Sequence, residues 1–479
     1  MKLPNDIKSC HILLEELFAQ VAILTKIVER GEILIKAQSD KIKELEVRLN
    51  QNSQNSSKPP SSDFNKPPKK RRPGIPREIK KKGGQIGHKG DTLKMVKEAD
   101  VDDVIKLNPI RCNCGKRLKR QQMQLHSRRQ QFDIPDPKLF ITESQQLSCT
   151  CPSCGQINYG KYPEDIKAPV QYGVGVKSLV TLLSVKCHLS YQNINGLFVD
   201  LFGQTINGAT IQFAIEKSSI QSEATITYIK NKLLESAVSH LDETGYRVKQ
   251  SKYWLHVMSN GLWTFLYTHK SRGKKAIKEE LPDIYDYTGT IIHDSWQTYW
   301  NIKSAKHGLC GSHILRELTA LVEQNSKWAK QMFDLILGLY KKNVKEELIN
   351  RNSLEWKEYK RICLAALEEE PPPVKGERGK PKKTKGLNLA ERLMKYQEAV
   401  LRFARESNVP FTNNQAERDL RPTKGKMKVA GCFRSVAGAR HYARLQSVFS
   451  TWRKQDYNIF QELKTILNGG IPTFLAETT

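Results

Sequence analysis

Acidic side chains follow two strand-like stretches of a strongly basic chain. Asp242 and Glu243 come directly after an apolar run that ends at Leu241, and Asp294 follows the run Thr290–His293. If these strands are neighbours in a sheet, their carboxylates face each other at one end, where such close negative charges are tolerated when a cation lies between them. Carboxylate oxygens suit Mg²⁺, whose remaining ligands are water and phosphate groups. The pattern therefore predicts a magnesium site that acts on phosphates.

A third acidic ligand is predicted at Glu417, within the run Asn-Asn-Gln-Ala-Glu-Arg-Asp-Leu-Arg-Pro. Asn413 or Asn414 is expected to cap a helix that Pro422 ends, which places Glu417 near the first turn. Asp419 competes for the ligand role, but it points about 200 degrees away from Glu417 on a helix. Each of these acids is also explained by a helix cap or a surface ion pair, so the pattern alone is a weak signal.

The net charge of the chain indicates its class of partner. Lys and Arg number 78 against 50 Asp and Glu in 479 residues, a formal charge of +28. Such an excess favours a polyanion, because neutralised phosphates release counterions. A ribosome-associated or simply soluble basic protein is the alternative. No run of about 20 apolar residues exists, and the N-terminus lacks a signal-peptide core, so we expect no membrane contact and a cytoplasmic location.

Residues 1–50 are predicted to form an N-terminal coiled coil. Apolar residues recur every seven positions, and a second, interrupted row follows three positions later; the first row is Leu14, Val21, Val28, Ile35, Ile42 and Leu49. A sustained heptad of Ile and Val with Leu favours a two-stranded parallel pair. We expect a homodimer or a higher oligomer, while a helix packed on its own chain is the alternative.

Residues 51–100 are predicted to be a disordered basic linker. The segment is polar and rich in Pro and Ser, and it cannot bury a core. Its cations are expected to lie along DNA phosphates, although a solvated tail has the same composition. These cations are Lys69, Lys70, Arg71, Arg72, Lys80, Lys81 and Lys82.

Residues 101–170 are predicted to form a small zinc-binding module. Cys112 and Cys114 make one thiol pair, and Cys151 and Cys154 make a second. Two such pairs fit a tetrahedral, structural Zn²⁺ site, which would hold together a domain too small for its own core. Cys149 is an alternative ligand, and a degenerate module without metal is a further alternative.

The next segments are predicted to be a helical DNA-binding region and an α/β core. Residues 171–235 contain two short helical patterns around Gly203, which suit a helix-turn-helix or two helices of an ordinary bundle. Residues 236–310 change to strand-like patterns, with three strands, a helix and another strand. Helical patterns then fill residues 311–405 and most of 406–479.

Several motifs in this order resemble the insertion sequence 66 family of bacterial transposases. They include Asn55–Asp63, Gly83–Gly90, the cysteine pairs, His240–Gly245, His293–Trp296, Cys310–Arg316, Asn413–Pro422 and Gly431–Ser435. The first cysteine pair departs from the family pattern, because Arg111 stands where the family has its first Cys.

The resemblance implies a ribonuclease-H-like catalytic core with an Asp-Asp-Glu triad. It assigns the triad to Asp242, Asp294 and Glu417, and residues 311–405 to a helical insertion between the second Asp and the Glu. The expected chemistry is cleavage and joining of DNA strands, with two Mg²⁺ ions, or Mn²⁺, bridging the triad. The fold class expected is therefore multidomain: an α-helical coiled coil, a zinc module, a helical DNA-binding segment and this α/β core.

The implied partners are the terminal inverted repeats of the element and its target DNA. The zinc module is expected to help bind the repeats, and accessory proteins of the same element are a further class of partner. The resemblance places the protein in a bacterial cytoplasm, at the nucleoid. Arg418 and Arg421 are expected to contact DNA; for them and for Arg316, a structural ion pair is the alternative.

Other residues near the motifs favour structural roles. The Cys310–His313 pair matches a Cys-x-x-His signature of several transposase groups, and helix packing explains it better than metal binding. His293 is interpreted as a buried histidine with a satisfied partner. Two rival functions remain, a non-catalytic DNA-binding repressor derived from a transposase and a metal-dependent nuclease that does not join strands.

Overall fold

The computed structural model describes residues 6–52, 55, 93–119, 123–373, 381 and 383–476. The cations predicted to form the basic linker lie outside the described residues. The chain divides into two compact units: Met1–Lys69, Val174–Leu189 and Phe213–Thr479 form unit 1, and Lys70–Gly173 with Ser190–Gln212 forms unit 2.

The predicted N-terminal helix is present as α1, Ile7–Asn50. Its apolar heptad row points outward, and Leu14, Val21, Val28 and Ile35 are each more than half exposed. No described helix is long and apolar enough to cross a membrane.

Unit 2 contains a β-hairpin and the first helix of the predicted helix-turn-helix. Strands β1 (Ser148–Thr150) and β2 (Ile157–Tyr159) pair antiparallel. Helix α3, Tyr191–Phe202, begins at Ser190, whose hydroxyl accepts from the Asn193 N–H, and ends at Gly203 in the left-handed region. Such a C-terminal glycine is common because a side chain there is strained. Helix α4, Gly208–Gln221, follows after the four residues 204–207.

Unit 1 is built on a five-stranded mixed sheet. Its strands are β3 (Val238–Val248), β4 (Ser251–Ser259), β5 (Thr264–His269), β6 (Thr290–His293) and β7 (Lys306–Leu309). They lie in the order β5-β4-β3-β6-β7; the first three are antiparallel, and β6 and β7 are parallel to β3.

Two strands differ from the sequence-based expectation. β3 does not end near Asp242 but continues to Val248, because its hairpin with β4 pairs residues as far as Val248 and Ser251. Strand β7 was not predicted, since its four residues Lys-His-Gly-Leu do not alternate. Gly308 is required there, because a Cβ would lie 2.6 Å from the Ile292 side chain of β6.

Hydroxyl groups of a C-terminal helix accept hydrogen bonds from backbone N–H groups of the edge strand β5. The N–H groups of Thr264 and Leu266 donate to the hydroxyls of Thr451 (3.1 Å) and Ser447 (2.8 Å). These hydroxyls belong to α13, Val436–Lys454. An open edge would present unpaired N–H groups to another strand, and the polar stripe of α13 prevents this.

The remaining helices flank the sheet or fill residues 311–405. In the sequence, α2 (Val174–Val185) and α5 (Glu223–Leu234) precede the sheet, and α6 (Lys274–Glu280) precedes β6. Residues 311–405 contain α7 (Gly311–Val322), α8 (Lys327–Val344), α9 (Leu354–Glu369), α10 (Lys385–Lys395) and α11 (Gln397–Arg405). After them come α12 (Asn414–Ala430), α13, α14 (Ile459–Leu467) and α15 (Thr473–Ala476).

The two ends of the helical segment 311–405 meet. The Gly311 N–H donates to the Phe411 carbonyl at 2.8 Å, and a Cβ on Gly311 would collide with the Phe411 ring. Because the chain returns to the point where it left, α7 to α11 fit between β7 and α12 without separating them.

A buried ion pair joins α12 to α13 and the sheet. Lys454 Nζ lies 2.8 Å from Asp419 Oδ2, and the two side chains are 12% and 4% exposed. The same ammonium donates to Thr264 Oγ1 and to the Asn260 carbonyl, and Ser450 donates to Asp419 Oδ1. Removing one member of such a pair leaves the other charge buried without compensation.

We therefore expect Asp419→Ala to lower the free energy of unfolding of unit 1 by about 3–5 kcal/mol. Lys330→Ala, which breaks an exposed ion pair with Asp334 on α8, should cost less than about 1 kcal/mol. Denaturant titration followed by circular dichroism measures both values. Equal losses for the two variants would contradict the structural role of the buried pair.

Candidate active site

Strands β3 and β6 bring the first two predicted acids together. The parallel pairing of these strands ends at His240 and Ile292. Asp242 and Asp294 each lie two residues beyond these positions in the strand direction. They therefore stand at the same level on two neighbouring segments of the sheet. The predicted juxtaposition of these two carboxylates depends on strand adjacency, and the structure has that adjacency.

Each aspartate uses one carboxylate oxygen to accept from the backbone. Asp242 Oδ1 accepts from the Glu243 N–H at 2.8 Å, and Asp294 Oδ1 accepts from the Trp296 N–H at 3.0 Å. Among the described residues, neither Oδ2 atom has a hydrogen-bond partner. One oxygen thus orients each side chain, and the other is available for a ligand.

Asn413 attaches the start of α12 to β3. Its Nδ2 donates to the Leu241 carbonyl at 2.8 Å, and its Oδ1 lies 2.9 Å from His240 Nδ1. Burial lowers the pKa of His240 to about 4, so the ring is neutral at pH 7 and its Nδ1–H donates to Asn413. The expected N-terminal capping by the Asn413 side chain is absent, because that side chain binds the strand instead.

The attachment of Asn413 to β3 also fixes the position of Glu417. Its N–H donates to the Asn413 carbonyl, in the first turn of α12. The helix does not end at Pro422 as predicted but continues to Ala430. Proline removes one backbone hydrogen bond from a helix, and Leu420 and Thr423 on either side of it are buried.

The pKa of Asp242 is affected by the charges of the other acids. Burial, followed by the charges of Glu243 and Asp294, raises the pKa of Asp242 to about 7; the Glu243 N–H lowers it and the charge of Glu417 adds a smaller rise. All three predicted triad members therefore share one electrostatic environment, which favours a proton or another cation.

Asp419, the competing candidate, is excluded from this cluster. Both of its oxygens are bound, Oδ2 by Lys454 and Gln415 and Oδ1 by Ser450. The two positions point apart on α12, as helical geometry requires.

Glu243 is a buried acid, for which the sequence suggested only a helix cap or a surface ion pair. Its side chain is 2% exposed and pairs with Arg272 at 2.6 Å. The Tyr299 hydroxyl donates to its other oxygen. The signal in the sequence was the second acid of the run Leu-Asp-Glu-Thr, but its partners lie 29 and 56 residues away.

The Cys310–His313 pair packs against the start of α12. The Asn413 N–H donates to Cys310 Sγ at 3.2 Å. Burial alone lowers the pKa of His313, but the hydrogen bond to Cys310 and the charge of Glu417 outweigh it and raise the pKa to about 9. This environment favours the packing interpretation over metal binding by the pair.

His293 is fully buried and has partners. Its Nε2 lies 3.0 Å from His307 Nδ1, and its Nδ1 contacts the Asp294 carbonyl. Burial, followed by the charge of His307, lowers the pKa of His293 to about 3. The interpretation as a satisfied buried histidine agrees with this geometry.

Two arginines beside Glu417 are exposed. Arg418 donates to Gln415 of the same helix, and among the described residues neither Arg418 nor Arg421 forms an ion pair. Arg316, on α7, is half-buried.

The predicted zinc ligands lie in two similar turns of unit 2. Cys112 N–H donates to the Lys116 carbonyl, and Cys151 N–H donates to the Gln156 carbonyl. Each turn contains a glycine with positive φ, Gly115 at 88° and Gly155 at 73°. The first turn is shorter by one residue, which accounts for its Cys-x-Cys spacing.

The thiols of each turn interact with each other. Hydrogen bonds from the backbone and then the side chain of Cys114 lower the pKa of Cys112. Backbone hydrogen bonds from Ser153 and Cys154 lower the pKa of Cys151. Cys149 lies in β1, outside both turns. A lowered pKa favours the thiolate, the form that binds metal.

Among the described residues, no three His, Cys, Asp or Glu side chains are close enough to hold one metal ion together. Two carboxylates are nevertheless sufficient for Mg²⁺, which keeps several waters and takes substrate phosphates as further ligands. The oxygen donors at Asp242, Asp294 and Glu417 thus fit Mg²⁺ in their chemistry.

Comparison with known families agrees with the motifs. A model of the Transposase IS66 family matches residues 169–441, which include β3, β6, α12 and all three acids. A family of unknown function (DUF6444) matches residues 4–94, which include α1. No curated protein matches the chain. Because the first match covers more than half of the sequence, the chain belongs to the IS66 family of transposases.

Proposed function

We propose that this transposase cleaves and joins DNA strands with Asp242, Asp294 and Glu417 as its catalytic acids. The observation that supports the proposal most is the shared level of Asp242 and Asp294 on parallel neighbouring strands, with Glu417 in electrostatic range. An antiparallel meander followed by two parallel strands, flanked by helices, also supports the expected ribonuclease-H-like core.

Asp242, Asp294 and Glu417 would hold the divalent metal. Bound Mg²⁺ or Mn²⁺ would supply Lewis-acid activation of the nucleophile and the leaving oxygen at the scissile phosphate. The aspartates would present their Oδ2 atoms, since each Oδ1 is held by a backbone N–H. Glu417 would approach from α12, held by the attachment of Asn413 to β3.

DNA would be held by cations near these acids. Arg418 and Arg421 are exposed on the same helix as Glu417, and we propose that they contact phosphates beside the scissile bond. Such contacts set the position of the duplex rather than read its sequence. The basic linker, and α3 with α4, are proposed to bind the element ends and target DNA.

The exposed apolar row of α1 supports an oligomer of this chain. A helix with such a row buries it against another copy, as in a two-stranded coiled coil. Two protomers would allow the two ends of an element to be held in one complex. Zinc in the paired turns of unit 2 would stabilise that module.

Asp294→Asn should abolish metal-dependent cleavage and joining of DNA that carries the element ends. Asn retains an oxygen for the Trp296 N–H but lacks the charge needed to bind the cation. Asp242→Asn and Glu417→Gln should behave in the same way, with DNA affinity unchanged. Asp283→Asn, which changes an exposed acid outside the site, is the control.

Gel analysis of cleaved and joined products, with and without Mg²⁺, distinguishes the candidate functions. Cleavage without any joined product would favour a nuclease. Specific DNA binding by wild type without cleavage would favour a repressor, and normal cleavage by Asp294→Asn would remove that residue from the site.

Divalent metal binding should depend on pH through Asp242. Its folded-state pKa, about 7, lies above its usual value, so the side chain is mainly protonated below that pH and must lose the proton to bind metal. The half-saturating Mg²⁺ concentration should fall about tenfold for each pH unit up to roughly pH 7 and then level off. Calorimetric titration between pH 5.5 and 8.5 measures this, and a constant affinity would contradict it.

The raised pKa of Asp242 also predicts how this residue affects the free energy of unfolding without metal. The folded state binds the Asp242 proton more tightly than the unfolded state does. Its contribution to stability is therefore complete below about pH 4 and is lost as pH rises through about 7. In Asp242→Asn, this part of the pH dependence of unfolding should disappear.

Purified protein should contain one Zn²⁺ per chain, bound by Cys112, Cys114, Cys151 and Cys154. Elemental analysis should show loss of zinc in Cys151→Ser and Cys112→Ser but not in Cys149→Ser. Loss of zinc in Cys149→Ser, with zinc retained in Cys112→Ser or Cys151→Ser, would instead establish the alternative ligand set.

A further inference from the structure

Glu243 is bound on both of its oxygens. Arg272 donates to Oε1 through Nε at 2.8 Å and lies within 2.6 Å of it through Nη2, and the Tyr299 hydroxyl donates to Oε2. Both oxygens are therefore in use, although Glu243 is the direct neighbour of Asp242. A carboxylate held in this way is unsuited to bind metal itself, and its partners indicate what it does instead.

Tyr299 lies on the segment that begins with Asp294. Its ring is 3% exposed and packs 5.2 Å from the ring of His293, the last residue of β6. The hydroxyl reaches across to the residue after Asp242. The bond between Tyr299 and Glu243 therefore connects the backbone that carries Asp242 to the backbone that follows Asp294.

Arg272 makes a second connection between the same two segments. Its guanidinium stacks 3.7 Å over the Trp296 ring and 4.8 Å from the Trp254 ring of β4. The Trp296 N–H is the group that orients Asp294. Glu243 is thus tied through Arg272 to the residue that fixes the Asp294 carboxylate, and through Tyr299 to the same loop.

These contacts also affect the pKa of Glu243. Burial raises the pKa of Glu243; the Tyr299 hydrogen bond lowers it, the charge of Asp294 raises it and Arg272 lowers it, and the net result is a raised pKa. Arg272 pairs with Glu243 and lowers its pKa, while the charge of Glu243 still raises the pKa of Asp242.

We propose that Glu243 is a positioning residue whose bonds to Arg272 and Tyr299 set the separation of Asp242 and Asp294, and thereby make the site selective for Mg²⁺ over Ca²⁺. The inference rests on the proposed function, because it takes Asp242 and Asp294 as metal ligands. Mg²⁺ requires near-ideal octahedral geometry at short distances, whereas Ca²⁺ accepts flexible geometry at longer ones. A site that loses its spacing constraint should therefore lose Mg²⁺ affinity more than Ca²⁺ affinity.

Tyr299→Phe tests the proposal, because it removes only the hydroxyl that donates to Glu243. In the full-length chain, Mn²⁺ binding is followed by electron paramagnetic resonance, and Mg²⁺ and Ca²⁺ are measured by competition. Loss of an outer contact that orients metal ligands typically weakens metal binding by about 10- to 100-fold. We expect a loss of this size for Mg²⁺ and a smaller loss for Ca²⁺. Glu243→Gln, which keeps the side-chain size, should change the ratio in the same direction.

Tyr359→Phe is the matched control. Tyr359 is fully buried on α9, and its hydroxyl donates to the Leu393 carbonyl at 2.9 Å. Its loss removes a comparable buried hydrogen bond far from the acids in sequence, and should leave both affinities at the wild-type value.

Three results would overturn the inference. Wild-type Mg²⁺ affinity and selectivity in both Tyr299→Phe and Glu243→Gln would show that Glu243 does not set the spacing. Equal losses in Tyr299→Phe and Tyr359→Phe would show only a general effect on stability. Equal Mn²⁺ binding by wild type and Asp294→Asn would instead refute the proposed metal site itself, and with it the selectivity that depends on that site.

Discussion

Repulsion among buried carboxylates is the constraint on which the rest of this site depends. Asp242, Glu243, Asp294 and Glu417 are close enough for their charges to raise the pKa of Asp242. Left to themselves, such groups would separate or take up protons. Backbone N–H groups hold the two aspartates, Arg272 pairs with Glu243, and the attachment of Asn413 holds the helix that carries Glu417. These contacts hold the four acids at one corner of the sheet, where the proposed function places a cation.

The same constraint explains why the supporting contacts come from distant parts of the chain. Neighbouring N–H groups orient each aspartate, but they cannot set where one acid-bearing segment lies relative to another. The contacts that do so join β3 to the loop after Asp294 and to α12, across separations of 56 and 172 residues. Gly311 and Phe411 close the helical segment between them, so that this segment does not disturb the acids.

Binding and catalysis occupy different parts of the molecule in the proposed function. The paired cysteine turns and α3 belong to unit 2, whereas the acids belong to unit 1. The helix α1 carries an exposed apolar row suited to another copy of the chain. A transposase must hold two DNA ends while it acts on each, and separate modules for binding, association and chemistry suit that task.

The sequence alone determined the local elements and the identity of the acids. Hydrophobic periodicity predicted α1 and the strand Thr290–His293, because local side-chain patterns express the helix and strand periods directly. The ordered motifs identified the family, and with it Asp242, Asp294 and Glu417 as candidates. Cysteine spacing indicated two thiol pairs, although the shorter spacing of the first pair could be understood only from the backbone hydrogen bonds of its turn.

The tertiary structure alone decided which residues support the acids. Strand β7 has no alternation to predict it, and the continuation of α12 through Pro422 runs against local preference, since packing on both sides outweighs the lost hydrogen bond. Asn413 is a residue type that often caps helices, but its side chain binds β3. Asp419 pairs with Lys454 and so has a different role from Glu417. The partners of Glu243 likewise come from loops far along the chain. Such pairings depend on which segments the fold brings together, and a single sequence records the residue types but not their distances.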